Sequence, residues 1–494
     1  MNGKSVCFNF FLIVSIALSF RVLLLLTFPF DGLYGQDSYA YLDWSKQFAD
    51  AIFHFQVPPN FYWPIGYYFF TTIFSLLTVG DFTLAALLVS IFSSSLCAGV
   101  VYLIALRLFE NEPAKSPIAF ASGLLMCFSG AIVKPGLTIM SDALGLLFLC
   151  SSVYFVLKYC SEKKLSAIIY AFIFLSLGTM TRYADALIAL VIVGVLFYDF
   201  FKSQMKSSDI KKITIAGLIG LIIFLPQLYY IFKYGIAYLQ PTGETRVWAT
   251  GWSPINYFKK DFITLDGTQH YKFPNGLYFI SPIVHPLYLS VFGITFFSGL
   301  YFLVRKKLFV PLIILVSWIA VYYFYLAGNP FQSLRYTQSF FPALAIISAF
   351  GLYSFKFNCK IKKVFLCIGL FLMIGYGTVH FSGFVSQKND DLKIAVWIDN
   401  NISNSSLVFS FEVTGTLNNY SKRKIEEFYL YDGSKLKEKI DSSSVEIYFV
   451  LPVEKLRTQW KSLPIEKTFD YLSANFKVTE VSKINHYTIF KLVK

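Results

Sequence analysis

The sequence predicts a polytopic α-helical membrane protein ending in a small α/β domain, and three observations carry this. Of 494 residues, 56% are hydrophobic and 15% charged, with a mean hydropathy of +0.57, too apolar for a water-soluble chain of this length. The apolar residues gather into runs such as Phe10 to Phe28, Leu84 to Leu106 and Ala143 to Leu157. Such runs are near the roughly 20 residues a helix needs to cross about 30 Å of hydrocarbon. The basic residues sit in short connections between the runs, where they set orientation. The net charge of +14 therefore points to topology and not to nucleic acid.

The first run has no small-x-small cleavage pattern before Pro29 and is expected to persist as a span over 6–28. Arg21 lies within it, where a lone charge costs roughly 2.5–3.5 kcal/mol. It needs either an outward path or a partner such as Asp142. The segment Tyr62 to Gly80 is apolar but begins Trp63-Pro64 and carries little charge. Five basic connections follow: Arg107 with Lys115, Lys158 to Lys164, Lys202 to Lys212, Arg305 to Lys307, and Lys356 to Lys363. They share the cytoplasmic side only if Tyr62 to Gly80 does not cross, so that segment is expected as a re-entrant or interfacial helix.

The remaining spans are expected at 82–106, 117–133, 141–160, 165–181, 183–201, 212–232, 286–304, 309–327, 336–355 and 363–384, about eleven in all. The N-terminus is then cytoplasmic in the plasma (inner) membrane. The outer connections are Pro29 to Gly80, Lys134 to Met140, a tight turn at Arg182, Lys233 to His285, and Gly328 to Arg335. Residues 1–384 form the expected transmembrane domain. Residues 385–494 change to mixed charge and form an expected soluble extracytoplasmic domain. There Leu392 to Asn400 reads as helix, and Ser406 to Val413, Val445 to Leu451 and Tyr487 to Val493 as strands.

The polar residues with chemical potential fall on the outer side. Asp37 follows the first span and precedes a stripe of Tyr41, Leu42, Ser45, Phe48 and Ala49 at helical spacing, so it either caps that helix or faces a site. Asp142 opens the fourth span with the same two readings, Arg182 lies between the fifth and sixth, and Arg335-Tyr336 opens the tenth. Glu244 and Arg246 sit in the long outer loop, where they would meet a sugar or simply be solvated. One acidic and several cationic groups at one membrane depth suit a sugar bonded to a lipid phosphate. A carboxylate takes the proton of an attacking hydroxyl, while guanidinium forks stabilise charge growing on the phosphate. The five histidines and seven cysteines show no ligand or disulfide spacing, and no phosphate-binding lysine loop or dinucleotide glycine pattern is present, so no cofactor and no metal site is expected.

Six short motifs recur in order: Arg21 late in the first span, Gly35-Gln36-Asp37-Ser38-Tyr39, Trp63-Pro64-Ile65-Gly66-Tyr67, Ser141-Asp142-Ala143-Leu144, Met180-Thr181-Arg182-Tyr183, and Arg335-Tyr336 followed by Phe341-Pro342. In these the chain resembles the GT-C membrane glycosyltransferases of the glycosyltransferase family 39 type, which include protein O-mannosyltransferases and the aminoarabinose transferases of lipid A. The resemblance implies a GT-C-like bundle and inverting transfer of a single sugar, mannose or another hexose, from a polyprenyl-phosphate donor. The acceptor would be a hydroxyl of a lipid, glycan or protein on the outer face. It implies Asp37 as general base, Asp142 as a second catalytic acidic position, and Arg182 and Arg335 as phosphate contacts. Tyr336, Arg21, Tyr39 and Glu244 complete the expected substrate-binding set. The chain departs from the pattern at Asp37-Ser38, where many members have Asp-Glu, and at Trp63, where some have Lys. Two rival functions are a lipid-linked glycan flippase, which would spread charges through the depth of the bundle, and an oligosaccharide polymerase or ligase, which would concentrate its chemistry in late outer loops.

Overall fold

The computed structural model describes residues 3–203, 207–234 and 249–493. Gly3–Thr27 (α1) leads into two helices of the first connection, Gly35–Phe53 (α2) and Gly66–Leu77 (α3), and then into Phe82–Leu108 (α4). The next apolar stretch breaks at the extended Ser129 into Lys115–Phe128 (α5) and Gly130–Leu137 (α6), bent by 54°. Asp142–Glu162 (α7), Leu165–Thr181 (α8), Ile188–Ser203 (α9) and Ser207–Tyr234 (α10) follow. The long connection carries a hairpin, Asp261–Thr264 (β1) with Gly267–His270 (β2), and a short helix, Asn275–Ile280 (α11). Gly293–Arg305 (α12), Phe309–Ala327 (α13), Phe341–Ser354 (α14) and Cys359–Asn401 (α15) complete the bundle.

Among the described residues, seven helices are long and apolar enough to cross a membrane, and the bent α5–α6 pair is an eighth candidate. The expected spans at 165–181, 286–304 and 336–355 correspond to shorter apolar helices. With 12 residues, α3 is too short to cross. It packs on α2 and α4, and the whole expected stripe of α2 is buried with it.

Charge separates the two ends of this multi-pass bundle. Arg107 pairs with Glu162 at 2.6 Å, Lys306 with Glu112 at 2.7 Å, and Lys212 with Asp209 at 3.0 Å, while Lys163 meets Asp199. Phe302 on α12 stacks edge-on against Phe355, beside the fifth basic connection. The basic connections thus gather at one end. The carboxylates and arginines singled out above lie at the other.

At 1.5 Å per residue the 43 residues of α15 extend about 65 Å, twice the hydrocarbon thickness. The helix passes unbroken through residues 384–385 and carries Ile394, Ala395 and Ile398 into the core of the C-terminal sheet. That sheet has the order β4-β3-β5-β7-β6, built from Leu407–Ser410 (β3), Lys424–Glu427 (β4), Ile447–Leu451 (β5), Lys477–Ile484 (β6) and Tyr487–Val493 (β7). β3 runs parallel to β4 and β5, and β7 antiparallel to β5 and β6. The central strands are buried on both faces, which is why they read as continuous apolar runs. Leu407, Phe409 and Phe449 face Gly433–Asp441 (α17), Val453–Arg457 (α18) and Pro464–Asn475 (α19), while Val408 and Val450 face α15 and Thr414–Tyr420 (α16).

The sheet domain is latched to the first connection. Asp31 accepts from both Lys388 of α15 and Tyr420 of α16, and Lys388 also donates to the Tyr420 hydroxyl at 2.8 Å.

Candidate active site

α2 starts at Gly35, whose φ of +72° lies in the left-handed region open to glycine, with Tyr34 as its N-cap. Ser38 takes the local capping work, accepting from Tyr34 N at 2.7 Å and donating to Tyr34 O at 2.9 Å. Asp37 therefore does not cap the helix, contrary to the first of its two readings, and its carboxylate is turned elsewhere. Arg335 donates to it through Nη1 at 3.1 Å.

The same guanidinium reaches Asp142 with Nε, at 3.1 and 3.0 Å from the two carboxylate oxygens. Asp142 is fully buried, and it also meets Arg182 Nη1 at 2.8 Å and accepts from Gln338 Nε2 at 2.6 Å. The capping position before α7 belongs to Ser141, whose hydroxyl hydrogen-bonds Tyr41 at 2.8 Å. Two carboxylates and two guanidiniums, from four distant parts of the chain, form one network at one end of the bundle. Burial alone would make Arg335 and Arg182 give up their protons more readily. Asp142 outweighs that for both, helped by Asp37 at Arg335 and by Asp185 at Arg182, and both are held above the ordinary arginine value.

Each member is fixed by its own element. Arg182 occupies the extended residue between α8 and a 3-10 turn, Tyr183–Leu187. Gln227 of α10 ties that turn to the first connection, donating to Tyr183 OH at 2.6 Å and accepting from Ile65 N at 3.0 Å. Gly66 lies where a Cβ would come within 2.7 Å of Met180 O, so the Trp63-Pro64-Ile65-Gly66 motif packs directly on the strand of chain that presents Arg182. Trp63 stacks on Tyr41 at 4.3 Å. Gly145 leaves room for Arg182 and the buried Asp185, since a Cβ there would be 3.0 Å from Arg182 Cδ and 2.3 Å from Asp185 Oδ2. Arg335 rides on the 3-10 turn Leu334–Ser339, pinned by Tyr288 donating to Leu334 O and by Trp318 donating to Ser339 O at 2.8 Å. Its guanidinium lies 5.6 Å from the Tyr336 ring.

Asp37, Asp142, Arg182, Arg335 and Tyr336 thus come together. Tyr39 does not face them: its hydroxyl accepts from Thr416 of the sheet domain at 3.2 Å. Arg21 is also apart. It neither snorkels nor pairs with Asp142, but is fully buried and donates to Ser94 Oγ at 2.6 Å and Ala17 O at 2.9 Å. Glu244 and Arg246 lie outside the described residues. Gln338, Asp185 and Gln227 escaped the sequence reading because each is a lone polar residue whose role arises only from packing. Asp266, at the tip of the β1–β2 hairpin, also escaped it. Desolvation pushes its carboxyl up to about 6, with Asp37 and Glu412 adding their charge.

Fold and site together define a multi-pass helical membrane protein with a charged network at one end of its bundle, an architecture of the GT-C kind. Residues 58–230 match the family described as dolichyl-phosphate-mannose-protein mannosyltransferase. ArnT from Cupriavidus metallidurans in its apo state superposes with a TM-score of 0.65 at 12% identity, covering 97% of each chain. The same protein bound to undecaprenyl phosphate gives 0.62 over the same share of both chains, also at 12% identity. The oligosaccharyltransferase of Archaeoglobus fulgidus tethered to an acceptor peptide gives 0.61 at 11% identity, over all of this chain and 74% of the other. At such identities the likeness is one of fold. No curated protein matches in sequence. The family match and the shared fold meet the resemblance read from the six motifs, that of a GT-C membrane protein of the glycosyltransferase family 39 type.

Proposed function

We propose that this protein transfers a single sugar, with inversion, from a polyprenyl-phosphate donor to a hydroxyl acceptor, and that the Asp37 end of the bundle is the non-cytoplasmic face of the plasma membrane. The observation that carries the reading is Arg335 bonded at once to Asp37 and Asp142, with Arg182 on the same Asp142. The gathering of the basic connections at the opposite end supports the orientation, and the C-terminal domain is then extracytoplasmic.

The two carboxylates take different roles. The Asp37 side chain is 43% exposed and accessible to substrate; that of Asp142 is 0% exposed and its partners are protein groups. Asp142 is therefore a positioning residue that aims Arg182 and Arg335, and Asp37 is the catalytic base. In the reaction the acceptor oxygen bonds to the sugar's anomeric carbon as the carbon–oxygen bond to phosphate breaks. The hydroxyl proton passes to Asp37, and the electron pair leaves with polyprenyl phosphate, whose growing charge the arginines stabilise. Arg335 is anchored through Nε on Asp142, so its Nη1 can exchange Asp37 for a phosphate oxygen, releasing the carboxylate as the donor arrives.

The test is purified protein in lipid nanodiscs incubated with a panel of polyprenyl-phosphate sugars and candidate acceptors. Transfer with at least one donor, lowered about 10²–10⁴-fold in Asp37→Asn, is the expected outcome. Full activity in Asp37→Asn would sink the assignment.

A further inference from the structure

Between α2 and the sheet domain lies a cavity of about 170 Å³ that the reaction above does not use. Gln36 and Tyr39 wall it from α2, Asp391 from α15, and Glu412, Lys455 and His486 from the sheet domain. Its seam is tight. Gln36 Oε1 accepts from Gly415 N at 2.9 Å, and a Cβ on Gly415 would come within 2.6 Å of the Tyr39 ring.

The lining selects its occupant. Lys455 is already engaged by Glu412 at 2.6 Å, and Asp391 adds a further negative charge, so the cavity repels a phosphate. An acyl chain would strand these charged and amide groups without water. The side chains offer both donors and acceptors, as the hydroxyls of a sugar ring require, and Tyr34, Tyr39 and Tyr487 add apolar ring surface to the lining for its C–H edges. The volume falls below the roughly 300–1,000 Å³ of drug-sized pockets, which suits one ring and not an extended peptide.

Position argues which sugar it is. Residues three or four apart share a helix face, so Gln36 and Tyr39 present one face of α2 to the cavity while Asp37 and Tyr41 present the adjoining face to Arg335 and Ser141. The donor phosphate belongs with the arginines on that second face. Asp37 adjoins Gln36 in the chain, so a ring in the cavity sits beside the base on the sheet-domain side of α2 and not on its arginine side.

Resting on the transferase reading above, we propose that this cavity binds one neutral sugar ring of the acceptor, so that the acceptor is a glycan or glycolipid. The fold-level consequence is that the C-terminal domain forms one wall of the acceptor site.

Saturation-transfer NMR on the full-length protein in nanodiscs tests it, with methyl glucoside, methyl galactoside and methyl mannoside as probes and inorganic phosphate as the control. At least one glycoside should receive saturation, and the signal should fall at least about tenfold in the double variant Asp391→Asn/His486→Ala but persist in Asp37→Asn. Because the double variant could disturb the seam, its thermal unfolding is measured alongside, and Gln36→Glu, which adds a charge at the cavity wall, supplies a second reading. No saturation of any glycoside by folded wild-type protein, or equal saturation in both variants, overturns the proposal. In turnover, the double variant should raise KM for a glycan acceptor with KM for the donor unchanged; the reverse would place the donor sugar in the cavity and overturn the assignment to the acceptor. Retained transfer in Asp37→Asn would instead defeat the base assignment while leaving the glycoside result standing.

Discussion

Replacing Asp142 by Asn separates positioning from catalysis. Asp142 is fully buried and meets Arg182 Nη1 at 2.8 Å, Arg335 Nε at 3.0 Å and Gln338 Nε2 at 2.6 Å. Asn preserves the shape but removes the charge and turns one acceptor oxygen into a donor, leaving two largely buried guanidiniums short of a counter-ion. Removing one partner of a buried ion pair costs about 3–5 kcal/mol. Because Arg335 keeps Asp37, the lower end of that range, about 3 kcal/mol, is expected here. Asp37 differs: its single bond to Arg335 is long at 3.1 Å and half open to water, the kind of pair worth about 0.2–1 kcal/mol. Asp142→Asn should therefore lower thermal stability markedly and transfer with it, whereas Asp37→Asn should keep stability within about 1 kcal/mol and lose transfer. Thermal unfolding and initial transfer rates, measured on the same preparations, read both quantities. An Asp142→Asn protein as stable as wild type but inactive would refute the division of roles, since a residue whose removal costs only chemistry is one that touches substrate.

Three further outcomes are expected. Gly145→Ala places a methyl 2.3 Å from Asp185 Oδ2 and 3.0 Å from Arg182 Cδ, so Arg182 must move; a displacement near 1 Å costs on the order of 10²-fold in rate, and an unchanged rate would show that Arg182 is not held by this contact. Arg21→Met removes a buried cation whose hydrogen bonds go to Ser94 and backbone carbonyls, so stability should change by less than about 1 kcal/mol and transfer should persist; a tenfold loss of transfer would mean Arg21 reaches the substrate after all. The Asp266 carboxyl, pushed from 3.8 up to about 6, keeps its proton in the folded protein where the unfolded chain has released it. Its contribution to stability is full below about pH 4 and is lost as pH rises to about 6, so Asp266→Asn should flatten that part of the melting-temperature profile, and parallel profiles would contradict the placement of Asp266 near Asp37 and Glu412.

What the sequence disclosed follows from which signals are local. Hydropathy and charge place most helices, and the spacing of Tyr41, Leu42, Ser45, Phe48 and Ala49 identifies the buried face of α2. The motif residues Asp37, Asp142, Arg182 and Arg335 were visible as polar residues at the ends of apolar runs, because a membrane makes such placements conspicuous. Hydropathy reads solvent, however, and not backbone, so the fall in apolar residues at 384 says nothing of where the helix stops, which is at Asn401. β4 and β6 were missed because they are the outer strands of the sheet and carry polar side chains on their open faces. The β1–β2 hairpin has a signal in Asp266-Gly267 between alternating residues, within a long outer connection to which no element is assigned from sequence. Arg21 misled for a physical reason: a buried arginine demands hydrogen bonds but not a carboxylate, and a serine on α4 with helix carbonyls serves its Nε and Nη1 while Nη2 is left without a partner.

The same distribution of buried charge bears on the rival functions. A flippase needs polar groups stepped through the depth of its bundle, so that a hydrated headgroup is never stranded in hydrocarbon. Among the described residues, Asp142, Asp185, Arg182 and Arg335 gather at one end of the bundle, and Asp209 with Lys212 at the other. Arg21 sits between, with its bonds turned inward to Ser94 and Ala17. A polymerase or ligase is harder to separate on fold, since an oligosaccharyltransferase shares the architecture. Charge helps there. Asp37 and Asp142 already balance Arg182 and Arg335 within the network, and a monophosphate that displaces only Asp37 from Arg335 matches what those four groups have to give. Donors differing only in one phosphate unit, competed against each other in the transfer assay, should therefore favour the monophosphate; preference for the pyrophosphate would move the protein to the polymerase or ligase reading.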